Sequence, residues 1–186
     1  MNARPAPPAA APALTDGKAL RRAFGEFASG VTVVTTGGPV PRGMTANSFT
    51  AVSLNPPLLL ICVKHEATMH RSLESASHFG VSVLSDRQEA VARHFADHSR
   101  PSGLSQFASV PWTPGRASGG APLIDGALAR FECALVERYE GGDHTVFLGE
   151  VLSLERGTES GGTESDGALV FFQGRFRRLA DETEAA

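Results

Sequence analysis

Histidine pairs have the clearest potential for chemistry in this sequence, but their spacing argues against a metal site. His65 and His70 enclose His-Glu-Ala-Thr-Met-His, which is similar to a zinc-protease helix. The two ligands of such a helix lie four positions apart, whereas these lie five apart, about 140° around a helix. His94 and His98 have the required spacing, but the nearby sequence offers no third ligand, which favours a solvated helix face. The sequence predicts no metal.

Motifs for covalent catalysis and for the common nucleotide folds do not occur in the sequence. There is no Gly-x-Ser-x-Gly elbow, and neither Cys62 nor Cys133 has a local nucleophile signature, which disfavours hydrolase chemistry. Neither Gly-x-Gly-x-x-Gly nor a P-loop is present. Both cysteines lie in apolar runs and are interpreted as reduced, buried thiols. The chemistry that remains is ligand binding.

The stretch Gly43–Ser53 is crowded with small polar residues and contains Asn47, a residue type that strands avoid. Two interpretations stay open on composition. The first is an exposed edge strand with a bulge. The second is a strand whose hydroxyls, amide and backbone bind a planar polar ligand, with Ala46 leaving room for it.

Two further segments could contact a ligand. Lys64–Arg71 lies where a strand turns into a helix, so free amides, the Thr68 hydroxyl and the Lys64 charge would suit a phosphate, although hydroxyls at helix starts are mostly caps. Asp143 and His144 follow two glycines at a hairpin tip. They form either a simple turn or a displayed imidazole supported by a carboxylate.

The elements that must position these residues follow from hydrophobic periodicity and turn residues. A helix capped by Thr15 or Asp16 carries Leu20, Ala23, Phe24 and Phe27 on one face, and Gly30 ends it. Further helices are expected at about Ala67–Ala76 and from Ser85 or Asp86 to about Asp97, with a short turn at Leu104–Phe107 inside the loop His98–Pro122. The predicted strands are Val31–Thr36 and Gly43–Leu54 as a hairpin, Leu58–Lys64 buried on both faces, Phe79–Leu84, the long hairpin Ala127–Tyr139 with Thr145–Leu154, Leu169–Phe172 and Arg175–Leu179.

This pattern of roughly seven short strands and three peripheral helices predicts a mainly β fold, a barrel with helical decoration. We expect a flexible Ala/Pro-rich tail at 1–14, one domain at 15–180 and a flexible end at 181–186, and we interpret the near-repeated Gly-Thr-Glu-Ser of 157–165 as a loop. A net charge of −3 disfavours a nucleic-acid binder. No apolar run is long enough for a membrane span, and we expect a cytoplasmic protein.

Five segments form a combination that is far more specific than any one of them: Arg22–Thr36, Gly43–Phe49, Ser53–Leu58, Gly142–His144 and Phe171–Phe176. Together they resemble the flavin reductase family, the small NAD(P)H:flavin oxidoreductases that supply two-component monooxygenases. The resemblance extends from about Leu20 to Leu179.

That resemblance implies an FMN-binding split β-barrel of Greek-key type, usually a homodimer, with flavin (FMN or FAD) in a groove to which both subunits contribute. Thr45 to Ser48 would line the flavin ring and ribityl chain, Cys62 to Lys64 would edge it, and Thr68, with His70, would lie near the phosphate. Asp143 and His144 match the Gly-Asp-His motif associated with the nicotinamide nucleotide, and His144 is predicted to be the catalytic residue because it positions that nucleotide. The full set of predicted cofactor-binding residues is Thr45, Ala46, Asn47, Ser48, Phe49, Ser53, Cys62, Val63, Lys64, Thr68, Asp143, His144, Phe172 and Arg175, with Phe176 beside them.

The chain departs from the family pattern at three positions. Ala67 replaces a frequent Ser, Ser82 a frequent Asn and Phe176 a frequent Tyr. The loss of a hydroxyl at Ala67 bears on phosphate affinity, and therefore on the choice between FMN and FAD.

The resemblance implies hydride transfer from NADH or NADPH to flavin and delivery of reduced flavin to a partner monooxygenase. NADH is favoured because no arginine cluster marks a 2′-phosphate site. An alternative is a carrier or sensor that holds FMN tightly and has no rapid nicotinamide chemistry. An oxidase of the pyridoxine-phosphate type is a third possibility, but it would need further basic residues.

Overall fold

The computed structural model describes residues 16–157 and 167–179. The predicted tails and most of the Gly-Thr-Glu-Ser loop therefore lie outside the described residues. The helices are α1 (Gly17–Gly25), α2 (Thr68–Ser75) and α3 (Glu89–Ala96), with 3₁₀ turns at Asp86–Gln88 and Gly103–Phe107. The strands are β1 (Ser29–Gly30), β2 (Thr32–Thr36), β3 (Arg42–Ala46), β4 (Thr50–Leu54), β5 (Pro57–Lys64), β6 (His78–Val83), β7 (Trp112–Pro114), β8 (Pro122–Ile124), β9 (Ala129–Gly141), β10 (His144–Arg156), β11 (Leu169–Phe172) and β12 (Arg175–Arg178).

Seven strands form an antiparallel sheet in the order β3-β2-β6-β9-β10-β5-β4, which confirms the mainly β fold. Strands β3 and β4 lie at opposite ends of this order, yet only residues 47–49 connect them. In a flat sheet their separation would be about 29 Å, while the chain from Ala46 to Thr50 reaches at most about 14 Å. The sheet must therefore curl until its two edges meet, which is the geometry of a barrel.

The predicted hairpin of Val31–Thr36 with Gly43–Leu54 is correct only in its first half. β3 pairs with β2, whereas β4 pairs with β5 on the opposite edge of the sheet. The three polar and aromatic residues at 47–49 leave the ladder between the two strands, so one predicted strand is two.

The strand that is buried on both faces is β2. The prediction that Leu58–Lys64, now part of β5, is buried on both faces is wrong. On β5, Leu59, Ile61 and Val63 are buried while the alternating residues are only partly covered. On β2, Val34 packs into the core inside the curled sheet, and Val33 packs into a second core beneath α3. β2 therefore separates two apolar cores.

The remaining elements largely match the sequence prediction. The long hairpin forms as β9 and β10, with the Gly142-Asp143 turn at its tip. The third helix begins as a 3₁₀ turn in which the Gln88 side chain accepts a hydrogen bond from the Ser85 amide. α1 ends at Gly25, earlier than predicted, and Ser29-Gly30 pairs with β11. The β7–β8 ribbon inside the predicted loop was missed.

Candidate active site

The predicted site residues cluster where the edges of the curled sheet meet, and Ser48 is central to that junction. Thr50 pairs with Leu60, so the β4–β5 register would next place Ser48 opposite Cys62. There the Ser48 hydroxyl replaces the backbone, since Oγ donates to the Cys62 carbonyl at 2.9 Å and accepts from the Cys62 amide at 3.0 Å. The Ser48 side chain is thus fully occupied by β5, and its own peptide groups are released from that ladder.

Asn47 joins the same junction to β1. Its Nδ2 donates to the Ser29 Oγ at 3.2 Å. Ser29 also pairs with Phe171 of β11, so this bond connects the 47–49 segment with the C-terminal hairpin.

Thr45 and Ala46 point to opposite faces of β3, as neighbouring strand residues must. The Thr45 Oγ1 donates to the Ala92 carbonyl of α3 at 2.7 Å, while Ala46 is buried in the core inside the sheet. The edge of β3 that faces away from β2 carries the backbone groups that a ligand could reach. The Gly43 amide on that edge donates to the Gln106 side chain, and alternation places the Thr45 peptide groups on the same edge, two residues nearer the junction.

The end of β5 leads directly into α2. Cys62 is half-buried, Val63 is buried in the core and Lys64 is exposed with its Nζ 2.8 Å from the Glu66 carboxylate. The hydrogen bond with Glu66 raises the pKa of Lys64 and lowers that of Glu66. The negative charge of Asp143 and the positive charge of Arg21 also act on the Lys64 pKa, which places this lysine in a cluster of charges.

The first turn of α2 has no side-chain cap. Its N-cap is Ala67, which makes no side-chain hydrogen bond, and Thr68 is the exposed first helical residue. A helix start of this kind presents backbone amides to an anion.

The Gly-Asp-His turn lies beside this segment because β10 pairs with β5. His144 is the register partner of Lys64, and the Asp143 carbonyl accepts a hydrogen bond from the His65 amide at 3.0 Å. The His144 Nδ1 lies 2.7 Å from the Asp143 carboxylate. That hydrogen bond lowers the pKa of Asp143. Gly142 adopts φ +78°, a conformation that favours glycine.

The C-terminal residues form a separate small sheet with β1. Phe172 pairs with Arg175, and the rings of Phe171 and Phe176 pack edge to face at 5.5 Å. The turn between the strands contacts α1, since the Gln173 amide donates to the Gly25 carbonyl at 2.9 Å. This hairpin therefore approaches the junction through α1 and Ser29, and its Phe176 ring also lies against Arg93 of α3.

Two predicted site residues lie outside the cluster. Phe49 packs against Phe131 at a centroid distance of 5.8 Å and belongs to the core. Ser53 pairs with Leu58, six residues along β5 from Lys64, or about 20 Å. Sequence reasoning also missed the Ser29–Asn47 bond and the electrostatic proximity of Arg21 to Lys64, since contacts between distant segments leave no local pattern.

The two cysteines differ in their burial. Both thiols are free, but Cys62 is half-buried rather than buried as predicted. Burial raises the pKa of both, that of Cys133 to about 12 with a contribution from Glu132. Across residues 16–157 and 167–179, no group of three side chains is arranged to hold a metal ion, and no helix is long and apolar enough to cross a membrane.

Comparisons with known proteins agree with this fold. A profile of the Flavin reductase like domain matches residues 24–180. An NADH-dependent FAD reductase of Streptomyces globisporus is 55% identical over 179 residues, which cover 96% of this chain and 94% of that protein. The structure of the Streptomyces globisporus C-1027 NADH:FAD oxidoreductase SgcE6 with NAD and FAD fragments aligns with a TM-score of 0.83 at 52% identity, covering 95% of this chain and 100% of that one. BorF, the flavin reductase component of a bacterial two-component tryptophan halogenase, aligns with a TM-score of 0.81 at 49% identity, covering 90% and 100%.

Proposed function

The chain belongs to the flavin reductase like domain family, and we propose that it is an NADH:flavin oxidoreductase that delivers reduced FAD or FMN to a partner monooxygenase. The observation that carries this proposal is the pairing of His144 with Lys64. This pairing brings the Gly-Asp-His turn beside the strand end and helix start that we expect to bind the flavin.

The residues present fit a flavin. Uncapped amides at Thr68, together with the nearby positive charges of Lys64 and Arg21, suit its phosphate groups. The outward edge of β3 at Thr45 suits the hydrogen-bonding pyrimidine end of the ring. Asn47, the released backbone of Ser48 and the half-buried Cys62 would border the ring and the ribityl chain. Phe172 and Arg175 would contact the flavin from the C-terminal hairpin.

When bound, flavin and nicotinamide would supply the redox chemistry, the transfer of a hydride from nicotinamide C4 to flavin N5. The protein contributes binding and orientation. His144, held by Asp143, would bind the nicotinamide nucleotide, and the β3 edge would stabilise negative charge on the reduced ring by hydrogen bonding. In this mechanism neither His144 nor Asp143 needs to transfer a proton.

We also propose a homodimer located in the cytoplasm. Large apolar side chains of α1 and β4 are exposed, with Leu54 at 95% and Phe24 at 70%, and such surfaces are typical of protein interfaces. The two free thiols fit a reducing compartment.

The decisive experiment combines turnover with flavin retention. Purified protein should oxidise NADH only when FAD or FMN is added or retained, and gel filtration should remove much of the flavin. If heat-denatured protein consumed NADH as fast as native protein, the proposal that this chain is an enzyme would be contradicted. A protein that stays yellow at stoichiometric flavin and does not turn over NADH would instead be a tightly loaded carrier.

A further inference from the structure

His70 is a side chain that contacts both the turn before α2 and strand β10, two of the segments around the candidate site. It lies in the first turn of α2, half-buried, and its Nε2 lies 2.8 Å from the Thr145 Oγ1 of β10. Its ring packs edge to face on His65, in the turn before α2, at 5.1 Å. It also packs on Phe147 of β10 at 5.6 Å.

Thr145, His65 and α2 itself are each connected directly to a residue that is predicted to bind a ligand. Thr145 directly follows His144, and it is 4% exposed. The His65 amide donates to the Asp143 carbonyl. Thr68 begins the helix that carries His70. One imidazole therefore joins the helix start proposed for the flavin phosphate to the strand proposed for the nicotinamide nucleotide.

We propose that His70, acting through Thr145, is a positioning residue that holds the start of α2 in register with the Asp143–His144 turn. This role rests on the proposed function, because it concerns how the two ligand positions are aligned. The helix start is already tied to β5, since the Ala67 amide donates to the Lys64 carbonyl at 2.9 Å, and Met69 and Leu73 bury α2 in the core. The bond between His70 and Thr145 adds a direct link from the first turn of α2 to β10. Removing the imidazole leaves the nearly buried Thr145 hydroxyl without its bond to His70.

Misalignment of the two sites should weaken the binding of both substrates and should also slow hydride transfer, because the two rings lose their relative orientation. We expect His70→Ala to raise the KM for NADH and the Kd for FAD by about tenfold each and to lower kcat by about tenfold. Thr145→Val should produce the same pattern, since it removes the other partner of the same bond. The double variant should be no worse than either single variant, because the two substitutions break one interaction.

Two further variants separate positioning from general structural damage. His70→Gln keeps a donor and acceptor that can reach Thr145, so it should recover most of the wild-type KM and Kd. His78→Ala is the matched control. This histidine is also half-buried, but it lies at the start of β6 and is hydrogen-bonded to Ser77, so its loss should change neither constant.

The measurements are NADH oxidation kinetics, FAD titration by flavin fluorescence and thermal melts of each variant. Unchanged constants in His70→Ala, additive effects in the double variant, or a His70→Gln variant as impaired as alanine at an equal melting temperature would each overturn the proposal. Failure of the proposed function would look different. Wild-type protein that binds FAD but does not oxidise NADH would contradict the reductase, while the FAD titrations would still decide the role of His70 and Thr145.

Discussion

At the scale of single residues, the imidazole of His144 is held by the carboxylate that precedes it. The Asp143–His144 hydrogen bond lowers the pKa of Asp143, so the carboxylate keeps its charge at neutral pH. The pair is intact above the ordinary pKa of an aspartate and is lost only as pH falls through the lowered value. With its Nδ1 occupied by Asp143, the imidazole has Nε2 left for a ligand.

We expect His144→Ala to raise the KM for NADH by about tenfold, the equivalent of one good hydrogen bond, while the Kd for FAD changes less than about twofold. The reason is that His144 belongs to the nicotinamide side of the site. Steady-state kinetics at saturating FAD and a separate FAD titration measure the two effects. An unchanged KM for NADH, or an equal loss of FAD affinity, would contradict this role.

Residue types could be predicted more easily than residue orientations. The Gly-Asp-His turn is a compact local motif, and the structure places it beside Lys64 as the resemblance implies. The hydroxyls of Thr45 and Ser48 were expected to face a ligand, but they bond the main chain of α3 and β5. Which face of a strand a hydroxyl occupies depends on pairing between distant segments, and the sequence of one strand does not encode it.

At the scale of elements, Glu132 on β9 fastens the loop that leads to β8. Its Oε2 accepts hydrogen bonds from the amides of Ala117 and Ser118, at 2.7 Å each, and from the Ser118 hydroxyl at 2.8 Å. Burial alone would raise the pKa of this carboxyl, but these donors outweigh it and lower the pKa. The loop is therefore tied to the sheet by a charge that the fold itself stabilises.

Glu132→Gln should reduce the free energy of unfolding by about 1–3 kcal/mol at pH 7, because a neutral amide oxygen accepts these bonds more weakly. The deficit relative to wild type should persist above the ordinary glutamate pKa, about 4.3, and close as pH falls through the lowered value. Urea unfolding at several pH values measures it. Glu137→Gln, an exposed change on the same strand, is the control. A deficit that does not change with pH would contradict the ionic role.

Element types followed from local patterns, whereas boundaries and pairing did not. The long β9–β10 hairpin and the β11–β12 hairpin were predictable because glycines at the turns separate runs of strand-forming residues. The split of Gly43–Leu54 into two strands was not, because it depends on the curling of a sheet whose two edges are far apart in the strand order. Burial of β2 on both faces similarly requires a second core beneath α3.

At the scale of the whole molecule, exposed leucines gather at one end of the sheet. Leu54 of β4 pairs with Pro57, and Glu150 of β10 pairs with the adjacent Leu58, so Leu154 lies beyond that same end of β5. Leu54 and Leu154 are 95% and 57% exposed. In the proposed homodimer this surface is a natural contact.

We expect light scattering to give twice the mass of the chain for wild type, and Leu54→Glu combined with Leu154→Glu to shift the protein toward monomer, because unpaired negative charges would be buried at the contact. Leu104→Glu, at another exposed leucine on a 3₁₀ turn, should leave the mass unchanged. A double variant that keeps the wild-type mass would exclude this end of the sheet as the interface.

The Ser48 hydroxyl makes the two hydrogen bonds that a peptide group of a neighbouring strand would make, and this role limits which side chains position 48 can accept. The side chain at this position must donate one hydrogen bond and accept another, each about 3 Å long, with the main chain of β5. Serine can do so, whereas alanine and valine cannot. Because the Ser48 side chain takes over the pairing with β5, the amide and the carbonyl of Ser48 itself are left free next to the proposed ring site. Architecture and ligand recognition at this point would then be inherited together, through a single oxygen atom.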